Sequence, residues 1–353
     1  MSGHHEYGDV MTKGDPGSRA HTEIEKFLAS APIYYQPWWL EAVSPGNWDY
    51  AIVRRGTDIA AVMPFVRRAY GRAGIALGMP DMTFTLGPWM RLSEMDQSKQ
   101  FTEHVDLMAE LIDALPPHAS FQQNFHYTVT NWLPFHWRGF SQTTGYTYVL
   151  DDLRDLDAVW AGFDPDIRWN IGKAGKSVRV VDDLGIETFN EVRVKSFARQ
   201  GKESVWSLDF IRRVDKACEL HDARKILFAI DSNNRIHAVA YIIWTEYAAY
   251  HAMGGGDPAL RDSGANFLLI WEAIRYVRDV AKRFDFEMDL ASETIEHFCR
   301  LFGGKLMPYF RVGRDLRSLP GRAWSGWRHL ARRFRARSWV PRLEVSRRMS
   351  ARP

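Results

Sequence analysis

The segment Phe284-Asp285-Phe286-Glu287-Met288-Asp289 alternates apolar and acidic residues. In a strand, successive side chains point to opposite faces. Asp285, Glu287 and Asp289 would then share one face, opposite Phe284, Phe286 and Met288. Three carboxylates that close repel one another, and one is pushed toward neutrality. A carboxylate with a raised pKa is what taking a proton from an amine near neutral pH requires. Glu287 is therefore the first candidate for a general base, ahead of Asp285. A solvated strand face fits the same pattern, and Asp289 also suits the cap of a following helix.

Two further groups of residues suit anions. Arg261-Asp262-Ser263-Gly264-Ala265-Asn266 leads into an apolar helical pattern, and a helix N-terminus offers backbone N–H groups to a phosphate. Arg168, Lys173, Lys176 and Arg179 form a basic cluster that suits a phosphorylated acceptor or donor, or a solvated basic face. Gly175-Lys176-Ser177 resembles the end of a Walker-type loop, but Asn170 stands where its first glycine belongs, and no buried strand precedes it. Trp38 and Trp89, with Met79, suit either an acceptor cleft or an aromatic core. His251 titrates near pH 7 and equally suits a hydrogen-bonded core position. The twelve His and two Cys (Cys218 and Cys299) show no metal-ligand spacing, so no metal is expected.

The elements that would position these groups follow from periodicity. Residues 1–22 are polar and Gly-rich and read as a flexible lead. Glu94–Leu115 reads as an amphipathic helix, with Phe101, Val105, Met108, Ile112 and Leu115 on one face and Pro116-Pro117 ending it. Ala238–Trp244 is a buried strand by its apolar run, and 265–281 reads as a helix. The order of elements recurs. Residues 51–65 parallel 227–243 as strand, polar turn and alanine-containing strand. Residues 120–150 parallel 284–312 as strand, short helix and strand. Two copies of one mixed α/β unit fit better than one large domain. The boundaries are 23–150 and 151–316, followed by a tail over 317–353.

Three stretches together resemble the tandem GNAT-like acyltransferases of the Fem type. One is Arg168-Trp169-Asn170-Ile171-Gly172-Lys173-Ala174-Gly175-Lys176. Another is Gly254-Gly255-Gly256-Asp257-Pro258 followed by Trp271-Glu272-Ala273-Ile274. The third is Phe284-Asp285-Phe286-Glu287 with Phe298–Gly304 and Pro308-Tyr309. Tyr35-x-x-Trp38 and Leu86-Gly87-Pro88-Trp89 also fit, so the resemblance spans about residues 30–315. It implies an α/β (α+β) fold of two GNAT-like domains, each a mixed, mostly antiparallel sheet flanked by helices. It implies an acyl-CoA or aminoacyl-tRNA donor, and an acceptor cleft along or between the domains. Several family members act on peptidoglycan precursors or in polysaccharide pathways. The family's donor loop reads Arg/Gln-x-x-Gly-x-Gly/Ala. Arg261, Gly264 and Ala265 fit it, while Asn266 replaces the small final residue. No such loop follows Gly87-Pro88-Trp89 in the first copy. A tyrosine often protonates the leaving thiolate in this family, which points to Tyr250 or Tyr309.

Composition bounds the rest. At 46% hydrophobic and 25% charged, the 353-residue chain is of ordinary globular type. Its net charge of +3 is unevenly spread. Residues 317–353 hold eleven Arg, no Lys and one acid, Glu344, a net of +10, so the remainder nets −7. Trp324, Trp327 and Trp339 interleave with those arginines, a pattern that suits an anionic membrane surface; an RNA backbone would attract the same charges. The expected protein is cytoplasmic, peripheral at the inner face of the membrane, and an N-acyltransferase. It forms an amide on an amine acceptor from acyl-CoA, in cell-envelope or polysaccharide metabolism. The alternatives are an aminoacyl-tRNA-dependent transferase on a peptidoglycan-type precursor, and a non-catalytic membrane-surface binding protein on a transferase fold.

Overall fold

The computed structural model describes residues 19–91, 97–198, 204–287 and 293–315. The expectations for the tail 317–353, for Met288 and Asp289 and for most of the lead lie outside them. Residues 19–22, expected in the lead, open helix α1 (Arg19–Leu28).

The first copy comprises α1, α2 (Pro37–Val43), β1 (Trp48–Arg55), β2 (Asp58–Ala69), β3 (Ile75–Gly78), β4 (Trp89–Met90), α3 (Gln97–Asp113), β5 (Ser120–Asn124), α4 (Leu133–Trp137) and β6 (Ser141–Leu150). The second comprises α5 (Leu156–Gly162), α6 (Pro165–Ala174), β7 (Val178–Val181), α7 (Ile186–Ala198), α8 (Leu208–Leu220), β8 (Arg224–Asp231), β9 (Ile236–Trp244), β10 (Ala249–Gly256), α9 (Ala265–Val277), β11 (Phe284–Asp285), α10 (Glu293–Arg300) and β12 (Lys305–Asp315).

The two copies do not form two separate sheets. Among the described residues all strands join one twelve-stranded sheet in the order β1-β2-β3-β5-β12-β6-β11-β10-β9-β8-β7, with β4 paired to β2 off that path. The last strand of each copy lies beyond the last strand of the other. β12 sits between β5 and β6, and β6 sits between β12 and β11. A cut at residue 150 would leave each copy's sheet missing a strand supplied by the other.

The exchange places β6 and β12 side by side over nine residue pairs, from Lys305 opposite Val149 to Gly313 opposite Ser141. At its centre Gly145 faces Tyr309, and a Cβ on Gly145 would collide with the tyrosine ring. The missing side chain is what lets the buried ring lie over the neighbouring backbone.

β9 shows why the sheet is buried on both faces. Its sequence is apolar nearly throughout. Val239, Tyr241 and Ile243 enter one core, while Ala238, Ala240, Ile242 and Trp244 enter another. The first core continues across the seam between the copies. It contains Ile186, Phe189, Ile211 and Val214 from α7 and α8 together with Tyr34, Tyr35, Trp39, Tyr50 and Ile52 from the first copy. α6 and α9 cover the second core, and α3 covers a third over β1 and β2. The face of α3 differs from expectation. Leu107, Met108, Leu111 and Ile112 are buried, and Phe101 is exposed, because the sheet meets only the C-terminal part of the helix.

Gly145→Ala is expected to cost about 1–3 kcal/mol in urea denaturation, the usual range for overpacking. Combined with Tyr309→Leu, it should lose less than the two single variants summed. Strictly additive losses would contradict this packing.

Candidate active site at the splayed strands

In each copy two parallel strands meet for only two residue pairs and then diverge. β3 meets β5 at Ala76–Ser120 and Leu77–Phe121. β10 meets β11 at Ala249–Phe284 and Tyr250–Asp285. The resulting gaps differ in kind.

The first gap is filled by its own chain. Leu86 bridges to Phe125, its N–H donating to the Asn124 carbonyl at 2.6 Å and its carbonyl accepting from His126 N–H at 2.8 Å. The Asn124 side chain donates to the Phe84 carbonyl at 3.0 Å. Gly87, at φ +99°, lies so close to Phe125 that a Cβ would come within 2.5 Å of the ring.

The second gap is not filled this way. Among the described residues no strand pairs with β10 on that side beyond Tyr250. A bulge interrupts β10 between His251 and Met253. The strand then runs through Gly254-Gly255-Gly256 toward the start of α9. There Gly264 has φ +74°, a left-handed conformation that favours glycine. A Cβ on Gly264 would come within 3.0 Å of the Asn170 carbonyl of α6. Lys173 Nζ donates to the Asp262 carbonyl at 2.7 Å, tying α6 to the same loop. The first turn of α9 thus lies beside a lysine, at the end of an open strand edge; its Ala265 N–H donates to Ser263 Oγ at 3.3 Å and its Phe267 N–H to the Gly264 carbonyl at 3.0 Å.

At the other end of β10 is a chamber of buried polar groups. Asp285 is 2% exposed. Its Oδ1 accepts from Thr147 Oγ1 at 2.6 Å and from Glu287 N–H at 2.8 Å, and its Oδ2 makes no hydrogen bond among the described residues. Burial pushes its pKa up to about 6, against those two hydrogen bonds. The Tyr250 and Tyr127 phenols interact electrostatically with this carboxylate, and burial raises both well above the usual tyrosine range. The hydroxyls of Tyr34 and Tyr250 and Nε2 of His126 are buried without a hydrogen-bond partner, while the Tyr127 and Tyr247 hydroxyls face each other. His126 is held neutral, its pKa lowered by burial to about 3. Trp89 lies edge-on to His126 and Tyr247, and Arg283 lies over the Tyr247 ring at 4.8 Å.

The expected residues divide accordingly. Trp89 and Tyr250 reach the chamber. Arg261, Gly264, Ala265, Asn266 and Lys173 surround the start of α9, with Asn266 buried in its first turn. Lys176 is exposed beyond the end of α6. Several expectations need correction. β11 ends at Asp285, and Glu287 adopts φ +50°, so Asp285 and Glu287 do not continue one strand face. The cause is local: the Asp285 side chain captures the backbone N–H two residues on and turns the chain. Asp285, ranked behind Glu287 by the sequence pattern, is the carboxylate that enters the chamber. Tyr309 is a packing residue over Gly145, its hydroxyl accepting from Arg311 at 2.8 Å. Arg168 is engaged within the protein. Its Nη1 donates to the carbonyls of Ala161 at 3.1 Å and Phe163 at 2.5 Å, closing the end of α5. Trp38 stacks on His221 at 4.3 Å, where α2 meets α8. His251 is neutral, its pKa lowered by burial to about 4. Among the described residues no group of His, Cys, Asp or Glu is arranged to hold a metal, and no helix is long and apolar enough to cross a membrane.

Residues 158–300 match the family model described as an acetyltransferase (GNAT) domain. That segment is a GNAT-type domain, and the enzyme is an acyltransferase. The arrangement of its two copies is Fem-like. The crystal structure of FemX superposes with a TM-score of 0.63 at 12% identity, over 86% of this chain and 96% of that one. A tandem GNAT protein from the clavulanic acid biosynthesis pathway superposes with a TM-score of 0.50 at 10% identity, over 85% and 95% of the two chains. No curated protein matches the sequence. Of the chamber, His126, Tyr127, Tyr247 and Arg283 carry no local sequence signal, since three separate segments bring them together.

The buried carboxylate has a thermodynamic signature. Its folded pKa of about 6 lies above the ordinary 3.8, so folding favours the protonated form. The stability this gives is full below about pH 4 and is lost as pH rises through about 6. The shift corresponds to about 3 kcal/mol. Asp285→Asn should flatten the stability profile between pH 4 and 7 in urea titrations. A variant that keeps the wild-type slope would contradict the raised pKa.

Proposed function

We propose that the protein transfers an acyl group from acyl-CoA to an amine acceptor, forming an amide, with the second copy as the donor site. The observation that carries this reading is the pairing of Asp285 with the open edge of β10. In this reading the donor's pyrophosphate rests on the first turn of α9, with Lys173 beside it and Arg261 at the rim of the loop. The pantetheine arm follows the unpaired backbone of β10 toward the bulge. Asp285 Oδ2 takes the proton from the acceptor amine, whose nitrogen attacks the thioester carbonyl. A carboxylate with a pKa near 6 is largely ionised at pH 7 and is basic enough to accept that proton as the C–N bond forms. The tetrahedral adduct then expels the CoA thiolate, and Tyr250, whose hydroxyl has no competing partner, supplies a proton to the sulfur. Trp89 lines the route by which the acceptor reaches Asp285.

A second reading keeps the same chemistry and changes the donor to an aminoacyl-tRNA. It is supported by the fold shared with FemX and by Asn266, whose buried side chain stands where the donor loop ordinarily has a small residue. The +10 charge of residues 317–353 would assist a polyanionic donor, and it equally suits an anionic membrane surface bearing a lipid-linked acceptor. We favour acyl-CoA because Gly264 and Lys173 form a compact cradle suited to one pyrophosphate. An acceptor from cell-envelope or polysaccharide metabolism fits the family resemblance.

Isothermal titration with acetyl-CoA and longer acyl-CoAs should give binding that weakens about tenfold in Lys173→Met, the loss of one charge-assisted contact. Failure of every acyl-CoA to bind, with charged tRNA binding at low salt, would replace the first reading by the second. In turnover, kcat/KM should rise with pH through a limb near 6. Asp285→Asn should lower kcat by about 10²–10⁴-fold, the usual contribution of a general base, and remove the limb. A variant with the same limb and rate would exclude Asp285 as the base.

A further inference from the structure

Arg193 is the one arginine among the described residues that is almost fully enclosed, at 2% exposure, and no described carboxylate pairs with it. It lies on α7, packed against the last turns of β10. Gly255 has no Cβ at a place where one would meet the Arg193 Cα at 2.8 Å. Ser196, one turn further along α7, clamps the strand: its Oγ donates to the Gly256 carbonyl at 2.6 Å and accepts from Gly256 N–H at 2.7 Å. The position of Arg193 is therefore fixed relative to the open strand.

All of its hydrogen bonds come from one nitrogen. Nη2 donates to Asn190 Oδ1 at 2.9 Å, to Ser204 Oγ at 2.6 Å and to the Trp206 carbonyl at 3.3 Å. Nε is buried with no partner, and Nη1 makes no hydrogen bond among the described residues. The rings of Phe197 and Trp206 lie 5.4 and 6.0 Å from the guanidinium carbon. Desolvation lowers its pKa to about 10, so it remains charged at neutral pH. A buried cation without a counter-charge is costly. An arginine that only tied down the 204–206 segment would not need two unused donor nitrogens. An oxyanion would satisfy both the charge and those donors.

We propose that Arg193, with Asn190 and Ser204 beside it, binds a carboxylate or phosphate group of the acceptor, so that the enzyme selects anionic amines. The side of the sheet assigns the group to the acceptor. α7 and α8 cover the face opposite α6 and α9, and the donor loop belongs to the latter. The inference rests on the acyltransferase reading for the word acceptor, but the anion site can be tested without turnover.

The test uses the full chain and matched probes: O-phosphoethanolamine against ethanolamine, and β-alanine against β-alaninamide. Binding is measured by calorimetry with no donor present, and acetyl-CoA binding serves as a separate measure of the donor site. The wild type should bind at least one anionic probe ten-fold or more tighter than its neutral partner. Preference for the phosphate pair alone assigns a phosphate, and for the other pair alone a carboxylate. Arg193→Met should abolish the preference, and Arg193→Lys, which retains the charge, should keep part of it. If Arg193→Met does not fold, Arg193→Lys decides, because loss of the fork geometry should still reduce the preference. Equal binding of anionic and neutral probes by the wild type would overturn the proposal. So would a preference undiminished in both variants, which would leave Arg193 a structural residue. Loss of acetyl-CoA binding in the wild type would count against the donor reading and leave the anion result standing.

Discussion

The β6–β12 pair is the constraint on which the rest of the molecule depends. Each copy ends in a strand that completes the sheet of the other, so the two cannot separate without breaking nine residue pairs. Gly145 makes the pair possible, because the Tyr309 ring occupies the space of the absent side chain. Once β6 lies beside β11, Thr147 reaches Asp285 from the first copy. The carboxylate of the second copy is thereby held by a hydroxyl of the first. The aromatic seam follows from the same exchange, with Tyr34, Tyr35 and Trp89 of one copy packed near Tyr247 and Tyr250 of the other.

Duplication usually yields two like sites, and here the two gaps have diverged. In the first, a loop with Leu86 at its centre completes the backbone hydrogen bonds that a ligand would otherwise make. In the second, the open edge of β10 lies between a poised carboxylate and a glycine-led helix N-terminus. One gap has become part of the core that supports the other. The polar groups left unsatisfied in the chamber are consistent with a place that a substrate completes, since buried hydroxyls ordinarily find partners.

Much of the fold is legible in the sequence because it is written in local periodicity. The run in β9, the apolar faces of α8 and α9 and the repeated order of elements all follow from spacing of three, four or two. The loop that leads into α9 is legible for the same reason, since a single glycine before an apolar helix marks it. The strand exchange is not legible, because either partner of β6 satisfies the same alternation and only the three-dimensional closure chooses between them. Asp285 and Glu287 show the same limit at the site. Alternation continues through both, yet an aspartate side chain that takes the N–H two residues on ends the strand between them. Arg168 reads as a ligand by composition and turns out to close a helix end, because its carbonyl partners come from α5 and the residue just after it.

The central claim is that the second gap alone receives the acyl donor. Hydrogen exchange of the full chain with and without acetyl-CoA tests it most directly. The account predicts slowed exchange along residues 252–256 and 261–268, with no change along 75–90. Protection confined to 75–90, or spread equally over both gaps, would contradict it.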